Sequence, residues 1–277
     1  MTGARRAGPV ALVAVAVVVA VVVGRSRGGR DEGARCGPGF VARGARCLVP
    51  AGAPCPRPLV PSSLGCDAPD VRVLVPETSL TIGPSDWEAE GRVPPRTVHA
   101  GPFRIDAFEV TRGRWGNAVA GDAARAASGM TRDEAEAFCE AQRDGAGGGR
   151  LPTDDEWIVA AVSGSSPPPR YPWGETGAVC RRAAWGLGAG PCARAAGADR
   201  GPDTVGAHPA GDSLLGIHDL AGNAAEWVST AGAGGATVAK GGSWASDLAA
   251  DLRVWAELDL APGARDPRVG LRCVYPP

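Results

Sequence analysis

Eight cysteines constrain the fold of this chain more than any other residue type. They stand at Cys36, Cys47, Cys55, Cys66, Cys139, Cys180, Cys192 and Cys273, an even set that lies wholly beyond an N-terminal Ala/Val run. With no Cys-x-x-Cys pair among them, they read as disulfides formed in an oxidising compartment and not as a metal site. Spacing suggests Cys36 with Cys47 and Cys55 with Cys66, each closing a short Pro/Gly-rich loop, although the connectivity of these first four stays open. Cys180 and Cys192 flank the loop Trp185-Gly186-Leu187-Gly188, which leaves Cys139 and Cys273 for each other. A bridge closing so long a loop stabilises a fold by roughly 4 to 5 kcal/mol in the chain-entropy model.

Arg5 and Arg6 precede an apolar stretch from Pro9 to Val23, and Gly24-Arg25-Ser26-Arg27 follows it. Residues 1–24 therefore read as a signal peptide or signal anchor, with residues 9–23 as the part that would enter a membrane. Arg25, Arg27 and Arg30 oppose translocation by the positive-inside rule, whereas the cysteines require it. The cysteines decide, and the expected location is extracytoplasmic: periplasmic, cell-surface or secreted, with anchoring in the inner membrane as a variant. No cysteine follows the apolar run directly, which speaks against a lipoprotein anchor. The 29 basic and 30 acidic side chains give a net charge of -1, so no global field favours nucleic acid. Lys240 is the sole lysine, and the abundance of Arg with Gly, Ala and Pro looks compositional.

Residues 25–69 hold the first four cysteines in a Gly/Pro/Arg-rich stretch without sustained periodicity, expected to be a stapled linker or tiny knot. From residue 70 to 277 the pattern is that of a globular domain. Val71 to Val75, Thr78 to Ile82 and Phe103 to Phe108 alternate like strands. Two helices are announced by capping boxes, Thr131-x-x-Glu134 and Thr153-x-x-Glu156, in which hydroxyl and carboxylate each satisfy an orphan backbone N–H. Eight Trp against four Phe and two Tyr suit a loop-rich fold in which large rings fill irregular space.

Seven motifs then occur in order: Ile105-Asp106-Ala107-Phe108-Glu109-Val110-Thr111; Ala137-Phe138-Cys139; Arg150-Leu151-Pro152-Thr153 running on to Trp157; Tyr171-Pro172-Trp173-Gly174; Gly216-Ile217-His218-Asp219-Leu220-Ala221-Gly222-Asn223-Ala224-Ala225-Glu226-Trp227; Gly241-Gly242-Ser243-Trp244; and Gly270-Leu271-Arg272-Cys273. This string resembles the formylglycine-generating enzyme (sulfatase-modifying factor) family. The resemblance implies an α+β fold, a variant of the C-type lectin fold with short strands, two main helices and much irregular structure. It also implies, independently of spacing, that Cys139 pairs with Cys273.

Enzymes of that family oxidise a cysteine within a Cys-x-Pro-x-Arg motif, using dioxygen and a copper(I) ion held by two cysteines close after the Gly-Gly-Ser motif. Laid on this chain without gaps, those two positions are Ser246 and Asp251, and no cysteine lies between Cys192 and Cys273. Copper(I) requires soft thiolates, whereas a hydroxyl and a carboxylate are hard ligands. Two further departures are Ala225, where the family usually has Trp, and an acidic residue, Glu257 or Asp259, where an arginine is common. A related iron-dependent branch needs histidine ligands; here only His99, His208 and His218 occur, without a His-x-x-x-His pair. Neither copper nor iron is therefore expected.

By family position a structural Ca²⁺ is expected at Asp219, Gly222, Ala224 and Glu226, through two carboxylates and two backbone carbonyls. The alternative is that Asp219 and Glu226 hold their loop by backbone hydrogen bonds alone. Glu109 and Glu156 read as buried hydrogen-bonding anchors. A Ser243–His218–Asp219 triad is discounted, because adjacent His and Asp side chains diverge and no nucleophile elbow is present. Two functional classes remain. The preferred one is an exported, non-catalytic relative whose cleft, near Ser243, Trp244, Ser246, Asp251 and Arg253 by family position, binds a peptide, glycan or protein partner. The other is an oxidoreductase acting by thiol-independent chemistry on an unknown substrate.

Overall fold

A computed structural model describes residues 36–44, 46–83, 95–144, 147–178, 180–188, 190–193 and 200–277, and these fall within one compact unit, Glu32–Pro277. The expected signal segment at residues 1–24 lies outside the described residues. In chain order the elements are β1 (Val41–Arg43), β2 (Arg46–Leu48), β3 (Val60–Ser62), β4 (Gly65–Asp67), β5 (Arg72–Val75), β6 (Thr78–Ile82), β7 (Arg96–Ala100) and β8 (Phe103–Asp106). Then follow α1 (Arg112–Trp115), α2 (Arg132–Ala141), β9 (Arg143–Asp144), β10 (Gly147–Gly148), α3 (Asp154–Val162), β11 (Ala225–Ala231), β12 (Thr237–Lys240), β13 (Glu257–Leu260), β14 (Val269–Gly270) and β15 (Val274–Tyr275). The class is α+β with short strands. Among the described residues no helix is long and apolar enough to cross a membrane.

Both capping boxes form. Thr131 Oγ1 accepts from Glu134 N, and the Glu134 carboxylate returns to Thr131 N; Thr153 and Glu156 do the same at the start of α3. Two frames organise the strands, a four-stranded sheet of order β13-β12-β11-β14 and a three-stranded sheet of order β15-β8-β5. β11 runs parallel to β14 and antiparallel to β12, with Trp227 opposite Ala239 and Glu226 opposite Lys240. Because side chains alternate across a strand, this register sends Ala225, Trp227 and Ala239 to one face and Glu226, Val228, Val238 and Lys240 to the other. The second face packs on α3, whose Trp157, Ile158, Val159, Ala160 and Ala161 are all fully buried. On that face Lys240 Nζ, also buried, lies 2.8 Å from Asp154 Oδ1 and 3.6 Å from Glu257 Oε1. The first face packs against α2 and the C-terminal strands through Trp227, Val269, Leu271, Cys139 and Cys273.

Four disulfides join Cys36–Cys47, Cys55–Cys66, Cys139–Cys273 and Cys180–Cys192, so no cysteine is left as a thiol. Four such bonds mark an oxidising, extracytoplasmic location. Residues 36–69 hold the first two of these staples. They form two stapled hairpins, β1–β2 and β3–β4, seated on the domain: Phe40, Cys47 and Leu59 pack with Phe108, Val205 and Ala207. Their anchor is Asp203, whose two carboxylate oxygens accept the Cys47 N–H at 2.7 and 2.9 Å. No local periodicity signals this seating, because its partners lie far along the chain.

Chain entropy ranks the bonds: Cys139–Cys273 spans 134 residues and Cys36–Cys47 only 11. The expected loss of unfolding free energy is about 5 kcal/mol for the Cys139→Ala/Cys273→Ala pair against about 3 kcal/mol for Cys36→Ala/Cys47→Ala, read from urea unfolding curves.

Candidate functional site

The Gly-Gly-Ser segment leaves β12 through two glycines in left-handed conformation, Gly241 (φ 89°) and Gly242 (φ 67°). Neither tolerates a side chain: a Cβ would stand 2.9 Å from Leu220 O at Gly241 and 2.7 Å from Asp251 O at Gly242. This sharp exit opens a cavity of about 390 Å³ against the face of the sheet that carries Ala225 and Ala239. Its floor is Ala225, Ala239 and Leu258; its walls include Ser243, Ala245, Ser246 and Ala256; its rim carries Asp247, Leu248, Asp251 and Arg268. Ser243 Oγ accepts from Ala245 N at 3.2 Å, and Ser246 Oγ accepts from Ser243 N at 3.1 Å. The neighbouring disulfide loop clamps the wall, since Gly186 N donates to Ser246 O and Leu187 N to Trp244 O, both at 2.8 Å.

Of the five cleft residues expected from the sequence, Ser243, Ser246 and Asp251 line this cavity together. Trp244 and Arg253 are buried and do not line it; Trp244 instead directs Nε1 to Pro267 O at 3.4 Å. Partial desolvation lifts the Asp251 carboxyl above its ordinary range, and the charge of Asp247 adds to the effect. Arg268 is held by Asp266, with Nη2 to Oδ2 at 2.7 Å and Nε to Oδ1 at 2.9 Å, and this hydrogen bonding holds the Asp266 carboxyl below its usual range. Sequence reasoning missed Ala239, Asp247, Leu248, Leu258 and Arg268. Their convergence depends on β12–β13 pairing and on the turn after β12, for which neither motif nor spacing gave a sign.

Behind the cavity lies a buried polar centre. Arg272 is fully buried and donates from Nη2 to Glu226 Oε1 at 2.8 Å, to His218 O at 2.7 Å and, from Nη1, to Asp106 O at 2.8 Å. Glu226 Oε2 also accepts from Trp157 Nε1 at 2.8 Å. Glu109 receives Ala224 N–H at 2.8 Å and the Asn223 amide. Burial, reinforced by the charges of Asp219 and Glu226, raises the Glu109 carboxyl well above the usual carboxylate range against the pull of Arg272. Glu109 is thus a buried anchor for the Gly222–Ala224 turn, where Asn223 takes φ 55°.

At the expected calcium ligands Asp219, Gly222, Ala224 and Glu226, both carboxylates have protein partners. Both oxygens of Glu226 face the Arg272 guanidinium. Asp219 Oδ2 accepts from Gly206 N at 2.6 Å, so both carboxylates brace their loop. Among the described residues, the sole cluster of three ligand-type side chains is Cys47, Asp203 and His208. Its sulfur is tied to Cys36, so no thiolate is offered there. Nor does a triad assemble: His218 Nδ1 sits 2.9 Å from Asp212 Oδ1, and its ring stacks on Phe108 at 4.4 Å.

This architecture, short strands framing irregular loops around the cleft, is that of a formylglycine-generating-enzyme-like variant of the C-type lectin fold. The sulfatase-modifying factor enzyme 1-like domain model matches residues 123–276, more than half of the chain, and the chain belongs to that family. Treponema denticola variable protein 1 is similar at 20% identity and a TM-score of 0.59, over 74% of this chain and 95% of that one. PvdO from Pseudomonas aeruginosa is similar at 19% identity and a TM-score of 0.57, over 74% and 94%. CarF is similar at 19% identity and a TM-score of 0.55, over 76% and 99%. At these identities the likeness concerns fold alone. No curated protein matches the chain.

Two expectations follow. With both carboxylates held by protein partners, excess chelator should leave the melting temperature unchanged, and a fall reversed by added Ca²⁺ would establish the calcium site instead. The second concerns buried His208, whose Nε2 lies 3.2 Å from Asp203 Oδ2. Burial alone would lower its pKa, but the hydrogen bond to Asp203 and that carboxylate's charge raise it above 6.5. A raised histidine pKa contributes stability that is complete below about pH 6.5 and lost as pH rises through the folded-state value. Melting temperature should therefore decline on the alkaline side of pH 6.5, and His208→Gln should flatten that decline.

Proposed function

We propose that this chain is an exported, non-catalytic member of its family, a binding module that uses the Ser243–Asp251 cavity to hold a group of a peptide, glycan or protein partner. One observation carries the reading: all eight cysteines are consumed in disulfides, so the cleft presents oxygen donors where copper(I) chemistry needs thiolates. Ser246 and Asp251 line the cavity at the positions the family resemblance assigns to the copper pair. A cleft of about 390 Å³ falls within the size range of ligand pockets. Residues 1–24 serve as the export signal in this reading, with residues 9–23 as a membrane anchor where the signal is retained.

The test is metal binding and oxygen consumption. The wild-type protein with Cu(I) and a Cys-x-Pro-x-Arg peptide should show neither stoichiometric copper nor oxygen uptake above buffer. Ser246→Cys/Asp251→Cys should gain tight Cu(I) binding, because it restores two soft ligands to one cavity. Oxygen uptake with aldehyde formation by the wild type would overturn the reading.

A further inference from the structure

The cavity has three chemically distinct zones. Its floor is apolar and deep: Ala225 and Ala239 are fully buried in the sheet, yet both line the space, and Leu258 closes one side. Two methyl side chains on neighbouring strands leave room for a ring or a short alkyl stem.

The wall supplies hydrogen-bond donors. Ser243, only 3% exposed, and Ser246 each use their hydroxyl oxygen to accept a backbone N–H. Each hydroxyl also carries a proton, and among the described residues neither finds an acceptor for it. Ser246 is half-buried, but at buried Ser243 a donor without a partner is costly, so an oxygen acceptor on an occupant would be favoured there.

The rim supplies negative charge. Arg268, a cation on the rim, is already held in a fork by Asp266, and Glu257 faces Lys240. Asp247 and Asp251 form no ion pair within 4 Å among the described residues; Arg268 attracts Asp251 at longer range but is already bonded to Asp266, so the rim keeps a net negative charge. A cavity with an apolar floor, hydroxyl donors and an anionic rim is complementary to one kind of molecule.

We propose that the cavity binds a small organic cation, an ammonium or guanidinium on an aromatic or aliphatic stem that also carries an oxygen acceptor. The assignment rests on the binding-module reading and names its ligand class. The stem lies over Ala225, Ala239 and Leu258, the acceptor meets Ser243 and Ser246, and the cation sits between Asp247 and Asp251.

Isothermal titration of the full chain with three probes of one shape separates these contributions: tyramine, 4-ethylphenol and 4-hydroxyphenylacetate. Tyramine should bind, neutral 4-ethylphenol should bind about tenfold more weakly, and the anion should give no heat. Asp247→Asn/Asp251→Asn, two exposed substitutions that leave the core intact, should bring tyramine down to the affinity of 4-ethylphenol. Ala225→Phe should fill the floor and remove both. Equal affinity for all three probes, or no tyramine binding by the wild type, would overturn the proposal. None of these failures touches the non-catalytic reading, which stands or falls on oxygen uptake.

Discussion

The fold converges on the buried pair of Arg272 and Glu226. One guanidinium, fully enclosed, reaches the carboxylate on β11, the carbonyl of Asp106 at the end of β8 and the carbonyl of His218 in the long loop. The same carboxylate is grasped by Trp157 of α3. Four segments distant in sequence therefore share one ionic centre, and the adjacent Cys273 fixes it covalently to α2 through Cys139. A buried ion pair adds little net stability against an apolar substitute, but removing one partner alone costs about 3–5 kcal/mol. Its geometry specifies how the two sheets and the loop meet, and the cleft is the space left where that meeting ends.

Where information was local, the sequence could be read. Capping boxes depend on residues three apart, and Thr131–Glu134 and Thr153–Glu156 form as their chemistry requires. Short disulfide loops are likewise local. The family motifs located Gly241, Gly242 and Asn223, all at positive φ. What sequence did not reveal depends on tertiary pairing. The ion pair of Glu226 with Arg272, 46 positions away, had no local signature. The stretch before residue 70 read as a stapled linker or tiny knot, and its seating on the domain was not legible because Asp203, which captures Cys47, lies 156 positions on. The cavity floor needed the register of β11, β12 and β13 before two alanines could be seen to share it.

Cysteine usage also separates scaffold from chemistry. In this chain sulfur is spent wholly on covalent staples, three of them across loops of 11 or 12 residues. One of these, Cys180–Cys192, encloses the segment that donates to Ser246 and Trp244. The staple thus holds the wall of the cavity, and rigidity of that wall lowers the entropy lost when a ligand settles against it.

The enclosed Lys240 has a practical consequence. It is the only lysine in the chain, sealed between α3 and the sheet against Asp154 and Trp157. Acylating reagents and lysine-directed proteases find no lysine side chain to attack while that sheet stays closed. Modification at this one position therefore acts as a clock for opening of the central sheet, free of background from other lysines.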